Sequence, residues 1–218
     1  MYLILTYIHI LAGTAALIAG TFALVSKKGS RVHRTAGRVF IIHMWLVCVA
    51  ALVMHLPQGK LFLPSIALFT LYMVYSGMRS FTVWHTGAKT SDIYAAGTGF
   101  FAGTGMVVVS LFQLLNAENY FNLVPMVFGL GFVGICYRDL RRKFVFRDYH
   151  QVLALHMQRM TGSFIAAVTA LLVVNASRIP VLGETTWGLM LCWFLPSALG
   201  SLYLTMRLRK MALTSKRG

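Results

Sequence analysis

Apolar residues run through this chain in seven long blocks separated by short polar breaks, at residues 2–25, 39–55, 61–81, 94–115, 123–137, 152–176 and 186–206. A hydrocarbon core about 30 Å thick takes about 20 apolar residues per helix, so each block predicts a membrane-crossing helix. The fifth block is short unless it continues toward Arg138. Pro57-Gln58-Gly59-Lys60 predicts a tight turn, Pro64 falls in a first helical turn, and Ser177 to Thr185 with Pro180 and Gly183 predicts another loop. Pro196 inside the last block removes a backbone hydrogen bond and predicts a bend.

Composition agrees with this pattern. Apolar residues make up 58% of the 218 positions and charged ones 11%, far from the balance of a soluble domain. The expected fold class is all-α, a polytopic integral membrane protein, with one seven-helix domain over residues 1–218. Residues 1–25 lack a basic leader and form too long an apolar run for a secretory signal, so they are expected to be retained as a helix. Cys48, Cys136 and Cys192 all lie inside apolar blocks with no metal-clip spacing and are expected to be packing residues.

The net charge of +15 would suggest nucleic acid in a soluble protein. Here the positive-inside rule accounts for it, and no nucleic-acid partner is expected. Of the 20 Lys and Arg residues, 18 fall on one side of the seven-block topology, and only Lys60 and Arg178 on the other. The N-terminus is therefore expected outside and the C-terminus in the cytoplasm. The densest basic stretch, from Lys27 to Arg38, becomes the first cytoplasmic loop. Gly99 and Gly103 form a small-xxx-small step suited to close helix approach.

Asp92, Glu118, Asp139, Asp148 and Glu184 all fall in expected loops or at interfaces. Without an acid inside a span, proton pumps and cation antiporters are disfavoured. A retinal protein is disfavoured because the seventh block has no lysine. Histidine is then the remaining ionisable type in the membrane. His9 lies in the outer part of the first block and His55 at the outer end of the second, while His33, His85 and His150 sit in cytoplasmic loops. His43 and His156 each lie about four residues, or ~6 Å, inside a cytoplasmic end. If their helices face each other, they could ligate one heme b iron from opposite sides, as metal ligands in a helical bundle, with nearby arginines holding the propionates. The plainer alternative makes each histidine an interface residue or a cross-helix hydrogen bonder. His9 and His55 are mismatched in depth, which argues against a second heme.

A zinc-dependent membrane hydrolase would need a closely spaced His pair on the last helix and an intramembrane acid, and neither is present. Gly162-Ser163 lacks a following histidine to serve as base for a serine protease. His156 and Arg159 share a helix face at i and i+3. With His33, Arg34, Arg38 and His150 they could form a pocket for a propionate, quinone, phosphate or anionic lipid. A snorkelling arginine is the bland alternative.

The segment His33-Arg34-x-x-Gly37-Arg38-Val39-Phe40, with His9, Gly13 and Gly20 before it, resembles a bacterial "predicted membrane protein" family in which such a segment opens the second helix. His156-Met157-Gln158-Arg159-Met160 is similar to that family's second feature, a His followed closely by Met and Arg. The resemblance covers the first six helices and implies a bacterial cytoplasmic membrane. It marks His9, His33, Arg34, Gly37, Arg38, His156 and Arg159 as residues of interest, but the family carries no assigned activity or cofactor.

Three functions stay open from sequence. The first is a redox protein binding heme b or quinone, with His43 and His156 as metal ligands and His9, His33, Arg34, Arg38 and Arg159 as further cofactor-binding candidates. The second is a non-enzymatic membrane module that binds lipid, an anion or a partner protein at the same face. The third is a small-solute carrier. Homo-oligomers are compatible with all three.

Overall fold

The computed structural model describes residues 2–55, 57, 61–117, 120–142, 146, 148–179, 182 and 185–215. Seven α-helices follow in order: α1 Tyr2–Val25, α2 Arg31–His55, α3 Phe62–Thr86, α4 Thr90–Ala117, α5 Leu123–Arg142, α6 Tyr149–Asn175 and α7 Thr186–Ser215. No strand occurs among the described residues. Six of the seven helices, all but α3, are long and apolar enough to cross a membrane. Of the loop features expected from sequence, Gln58, Gly59, Lys60, Glu118, Lys143, Arg147, Pro180, Gly183, Glu184, Lys216 and Arg217 lie outside the described residues.

The helices are longer than the apolar blocks because capping chemistry carries them into the polar breaks. The largest difference is at α2, which begins at Arg31 and not at Val39. Ser30 Oγ accepts the His33 N–H at 3.2 Å, an N-cap bond that starts the helix inside the basic stretch. Gly29, at φ 76°, makes the left-handed step between α1 and α2. His33, Arg34, Gly37 and Arg38 are therefore helical and not loop residues. Likewise Asp148 caps α6 by accepting the Gln151 N–H at 2.9 Å. Asp92, in the first turn of α4, accepts the Lys89 N–H at 2.8 Å, half of a capping box. Gly87, at φ 77°, closes α3. Helix α5 continues five residues past Tyr137, and α7 runs unbroken through Pro196.

Helix α3 lies at the centre. One buried cluster joins α1, α2 and α3 through Ala16, Phe40, Met44, Cys48 and Val74, with Phe164 of α6 packed against it. A second joins α3, α4 and α5 through Tyr72, Ala96, Phe132 and Cys136. A third joins α5 and α7 through Val124, Met190 and Trp193, with Phe62 and Ile66 of α3 against it. Every cluster thus includes α3, which also packs on α2, α4 and α6. The three cysteines are buried and unbonded.

The outside of the bundle is greasy and part of its inside is polar. Leu11, Phe22, Phe101, Phe112, Leu115 and Val174 are all more than half exposed. Ser80, Asp92, Ser110, Arg159, Ser163 and Thr169 are buried. A water-soluble protein would show the reverse; exposed apolar surface on this scale fits hydrocarbon as the solvent.

Helices α4 and α5 approach each other backbone to backbone at their glycines. A Cβ on Gly103 would lie 3.1 Å from the Val133 nitrogen and 3.2 Å from the Gly129 oxygen, whereas one on Gly105 would meet nothing within 4 Å. Backbone atoms cannot move aside as a side-chain tip can. Gly103→Val is expected to lower stability in detergent by about 1–3 kcal/mol, with Gly105→Ala neutral or mildly stabilising; thermal unfolding of the two variants checks the contrast.

Candidate functional site

The largest departure from the sequence reading concerns the acids. Asp92 and Asp139, expected in loops or at interfaces, both lie in helices and are buried, at 1% and 7% exposure. Asp139 is inside because α5 extends past Tyr137, and its burial is balanced by partners. Arg159 of α6 donates Nη2–H to Asp139 Oδ2 at 2.7 Å, and the Tyr72 hydroxyl of α3 donates to the same oxygen. The Arg159 guanidinium also lies 5.6 Å from the Tyr72 ring centroid, over its face. Gly77 makes room for this arrangement, since a Cβ there would fall 2.8 Å from Arg159 Cβ.

A second Tyr–Asp–Arg group uses the same stripe of α3 one turn further along. Arg79 grips Asp92 of α4 through Nε to Oδ1 at 2.9 Å and Nη2 to Oδ2 at 2.6 Å, the bidentate fork that suits guanidinium to carboxylate. Tyr75 donates to Asp92 Oδ1 at 2.7 Å. A small crevice lies between the groups, lined by Tyr72, Ser76, Arg79, Ser80 and Asp92, with Leu155 and Phe146 opposite. These are the only two ion pairs among the described residues. Both fasten the α4–α5 hairpin to the rest of the bundle, one through each helix of the hairpin.

His9, His33, His43 and His156, singled out from sequence, each hydrogen-bond a different carbonyl, although His33 of α2 lies close enough to His156 of α6 to interact with it electrostatically. His9 is bonded through Nδ1 to the Val47 carbonyl of α2 at 3.0 Å. His156 is bonded through Nδ1 to the Gly77 carbonyl of α3 at 2.9 Å and lies against Phe81, ring centroids 5.2 Å apart. His43 bonds the Val39 carbonyl of its own helix at 2.8 Å. A carbonyl only accepts, so in each case Nδ1 carries the hydrogen of the bond. No hydrogen bond or ring contact joins His43 to His156, and no cluster of three or more His, Cys, Asp or Glu ligands occurs among the described residues. Arg159 is bound to Asp139, which offsets the charge that an anion pocket would need from it.

The opening basic stretch forms its own local structure at the end of α1. His33 Nδ1 donates to the Ala23 carbonyl at 2.9 Å. Lys28 Nζ donates to the same oxygen at 3.0 Å and also to the Leu24 carbonyl. These carbonyls belong to the last turn, where the helix provides no partner and the dipole favours cations. Arg34 Nη1 donates to the Gly29 carbonyl at 2.7 Å and steadies the turn. Partial desolvation, with the charge of Arg207 as a second cause, lowers the affinity of the Lys28 ammonium for its proton. Arg38 is exposed and forms no ion pair among the described residues. Gly37 faces open space, since a Cβ there would meet nothing within 4 Å.

Comparison with known proteins finds no matching family model, no similar curated protein and no similar solved structure.

The Arg159–Asp139 pair yields a stability prediction. Asp139→Ala or Arg159→Ala leaves a buried charge without its partner and is expected to cost about 3–5 kcal/mol, whereas Asp139→Leu with Arg159→Met removes both charges and recovers most of the loss. Unfolding of the two single variants and the double variant in one detergent measures the difference directly.

Proposed function

We propose that this chain is a non-enzymatic membrane module of seven spanning helices, N-terminus outside, that binds anionic lipid through the basic ends of its helices in the cytoplasmic leaflet. One observation carries the reading. Among the described residues, both ion pairs are spent on Arg79 and Arg159, so Lys27, Lys28, Arg31, Arg34, Arg38, Arg138, Arg141, Arg207 and Arg209 have no carboxylate partner. All of them lie at the helix ends that the topology assigns to the cytoplasmic side. Asp148, at that same end, is occupied by the first turn of α6. A concentration of unneutralised cations at a membrane surface attracts anionic headgroups at about 1 kcal/mol per Lys or Arg.

In this reading α3 is the seventh span. Its most apolar stretch is less so than those of the other six because it carries the polar stripe Tyr72, Tyr75, Ser76, Arg79 and Ser80, and the other six helices surround or flank that stripe. The bacterial cytoplasmic membrane is the location that the His33-Arg34-x-x-Gly37-Arg38 resemblance favours.

Protein purified in an uncharged detergent is expected to gain several degrees in unfolding temperature with phosphatidylglycerol and much less with phosphatidylcholine. Salt above about 0.5 M should shrink the gain, because the Debye length falls to a few ångströms. Equal stabilisation by both lipids would contradict the reading.

A redox protein holding heme b is the second reading, favoured by the Nδ1 bond of His156 to the Gly77 carbonyl. Ligating histidines are commonly oriented by such a bond, with Nε2 left for the metal. Protein from heme-sufficient cells would then show a Soret band that His156→Ala abolishes; a colourless protein that stays colourless after heme addition rules it out.

A further inference from the structure

Helix α2 turns one continuous face away from the rest of the chain. Arg31, Arg34, Arg38, Ile42, Val49 and Val53 are all exposed on it. Five of them, Arg31, Arg38, Ile42, Val49 and Val53, recur at steps of seven, four, seven and four residues, which at 3.6 residues per turn confines them to an arc of about 60°. Arg34 flanks that arc. On the far side of the helix, Phe40, Met44 and Cys48 lie in the buried cluster that joins α2 to α1 and α3.

The face changes chemistry once along its length. From Arg31 to Arg38 its exposed side chains are cationic, and from Ile42 to Val53 they are apolar. Arg38 and Val49 stand ~16 Å apart along the axis, about the depth of one leaflet of a ~30 Å hydrocarbon core. An acyl chain beside α2 therefore meets apolar side chains down to the midplane, with its phosphate at the level of Arg38 and Arg34 one turn above.

The arginines of this face lack a counter-charge. No Asp or Glu occurs in residues 1–91, and neither ion pair among the described residues involves α2. Arg34 gives Nη1 to the Gly29 carbonyl, which leaves Nη2 to face outward. Gly37 keeps the surface between Arg34 and Arg38 clear, since a Cβ there would meet nothing within 4 Å. Helix α2 also starts at this end, so its dipole adds to the positive potential; α4 and α6 start there too, but with Asp92 in the first turn and Asp148 as the cap. Like charges gathered on one helix face at a membrane interface attract an anionic headgroup.

We propose that this face of α2 binds one anionic diacyl phospholipid, its phosphate held by Arg34 and Arg38 with Arg31 above, and an acyl chain laid along Ile42, Val49 and Val53. The proposal rests on the anionic-lipid reading above and narrows it from a charged rim to one helix face. Inorganic phosphate shares the headgroup chemistry but has nothing to set against the apolar half.

The purified full-length chain in an uncharged detergent tests the face, with phosphatidylglycerol, phosphatidylcholine and inorganic phosphate as probes and native mass spectrometry as the readout. Arg38→Gln is expected to weaken phosphatidylglycerol binding about fivefold, and Arg31→Gln with Arg38→Gln about thirtyfold. Both positions are exposed and outside the ion pairs, so thermal unfolding without added lipid should stay as in the unaltered chain. Arg141→Gln with Arg209→Gln, which removes the same charge from the ends of α5 and α7, should change binding less than about twofold. Phosphatidylglycerol with a photoreactive group in its acyl chain should label residues 39–53 ahead of the equally exposed α4 surface at Phe101, Val108 and Phe112. Equal losses in the two double variants, or equal labelling of α2 and α4, would overturn the α2 face while leaving the charged-rim reading intact. Binding of inorganic phosphate as tight as that of phosphatidylglycerol would overturn the lipid assignment. Absence of any phosphatidylglycerol preference in the unaltered protein would overturn both.

Discussion

Arg159 and Asp139 meet inside the bundle at 2.7 Å with side-chain exposures of 3% and 9%, and the arrangement of the central helix follows from the need to satisfy them. Hydrocarbon offers no hydrogen bonds, so each buried polar group must find its partner within the protein. The tyrosine hydroxyl that completes the group comes from α3, and the space for the arginine comes from Gly77 of the same helix. One turn along, Tyr75 and Arg79 do the same for Asp92. Helix α3 is polar because it supplies these partners, and it is central because only a surrounded helix can carry such a stripe in lipid. Packing holds the α4–α5 hairpin to the bundle without a hydrophobic driving force, since lipid tails are as apolar as the side chains and only van der Waals fit remains. The two ion pairs provide specificity where area does not.

The same rule governs four of the histidines, whereas His55 Nδ1 is buried without a hydrogen-bond partner among the described residues. Those at positions 9, 33, 43 and 156 each give a proton to a backbone carbonyl, and two of them, His9 and His156, do so across a helix interface. The His-Arg segment that opens α2 likewise satisfies the final turn of α1 through Lys28 and His33 and stiffens the connection through Arg34. Its residues have structural tasks, and what it leaves over for a ligand is charge at its outer edge.

Much of the fold was legible in the apolar blocks. The α1 limits and the start of α5 coincide with block boundaries, because there the chain passes directly from turn to oil. At α2 and at the end of α5 the blocks fell short, because a helix started by Ser30 or prolonged through Arg138 to Arg142 needs no apolar residues to continue. The shortness of the fifth block was the one signal that Asp139 belonged inside. Counting acids by block could not show that Asp139 and Arg159, twenty positions apart, would neutralise each other, nor that Tyr72 and Tyr75 would point at separate carboxylates. Pairings of that kind depend on helix rotation, which hydropathy does not encode. The candidate site was legible only as a concentration of cations at one end; the division between paired and unpaired arginines required coordinates.

Once Arg79 and Arg159 are assigned to the interior, Lys27, Lys28, Arg31, Arg34, Arg38, Arg138, Arg141, Arg207 and Arg209 form no ion pair among the described residues and define the face on which the functional account rests. Its central claim is that this face holds anionic phospholipid in the native membrane. The most direct measurement is the composition of lipid that stays with the full chain through purification in a mild uncharged detergent, compared with the membrane from which it came. The account predicts clear enrichment of anionic phospholipid in the bound fraction. A bound fraction with the same composition as the membrane would contradict it.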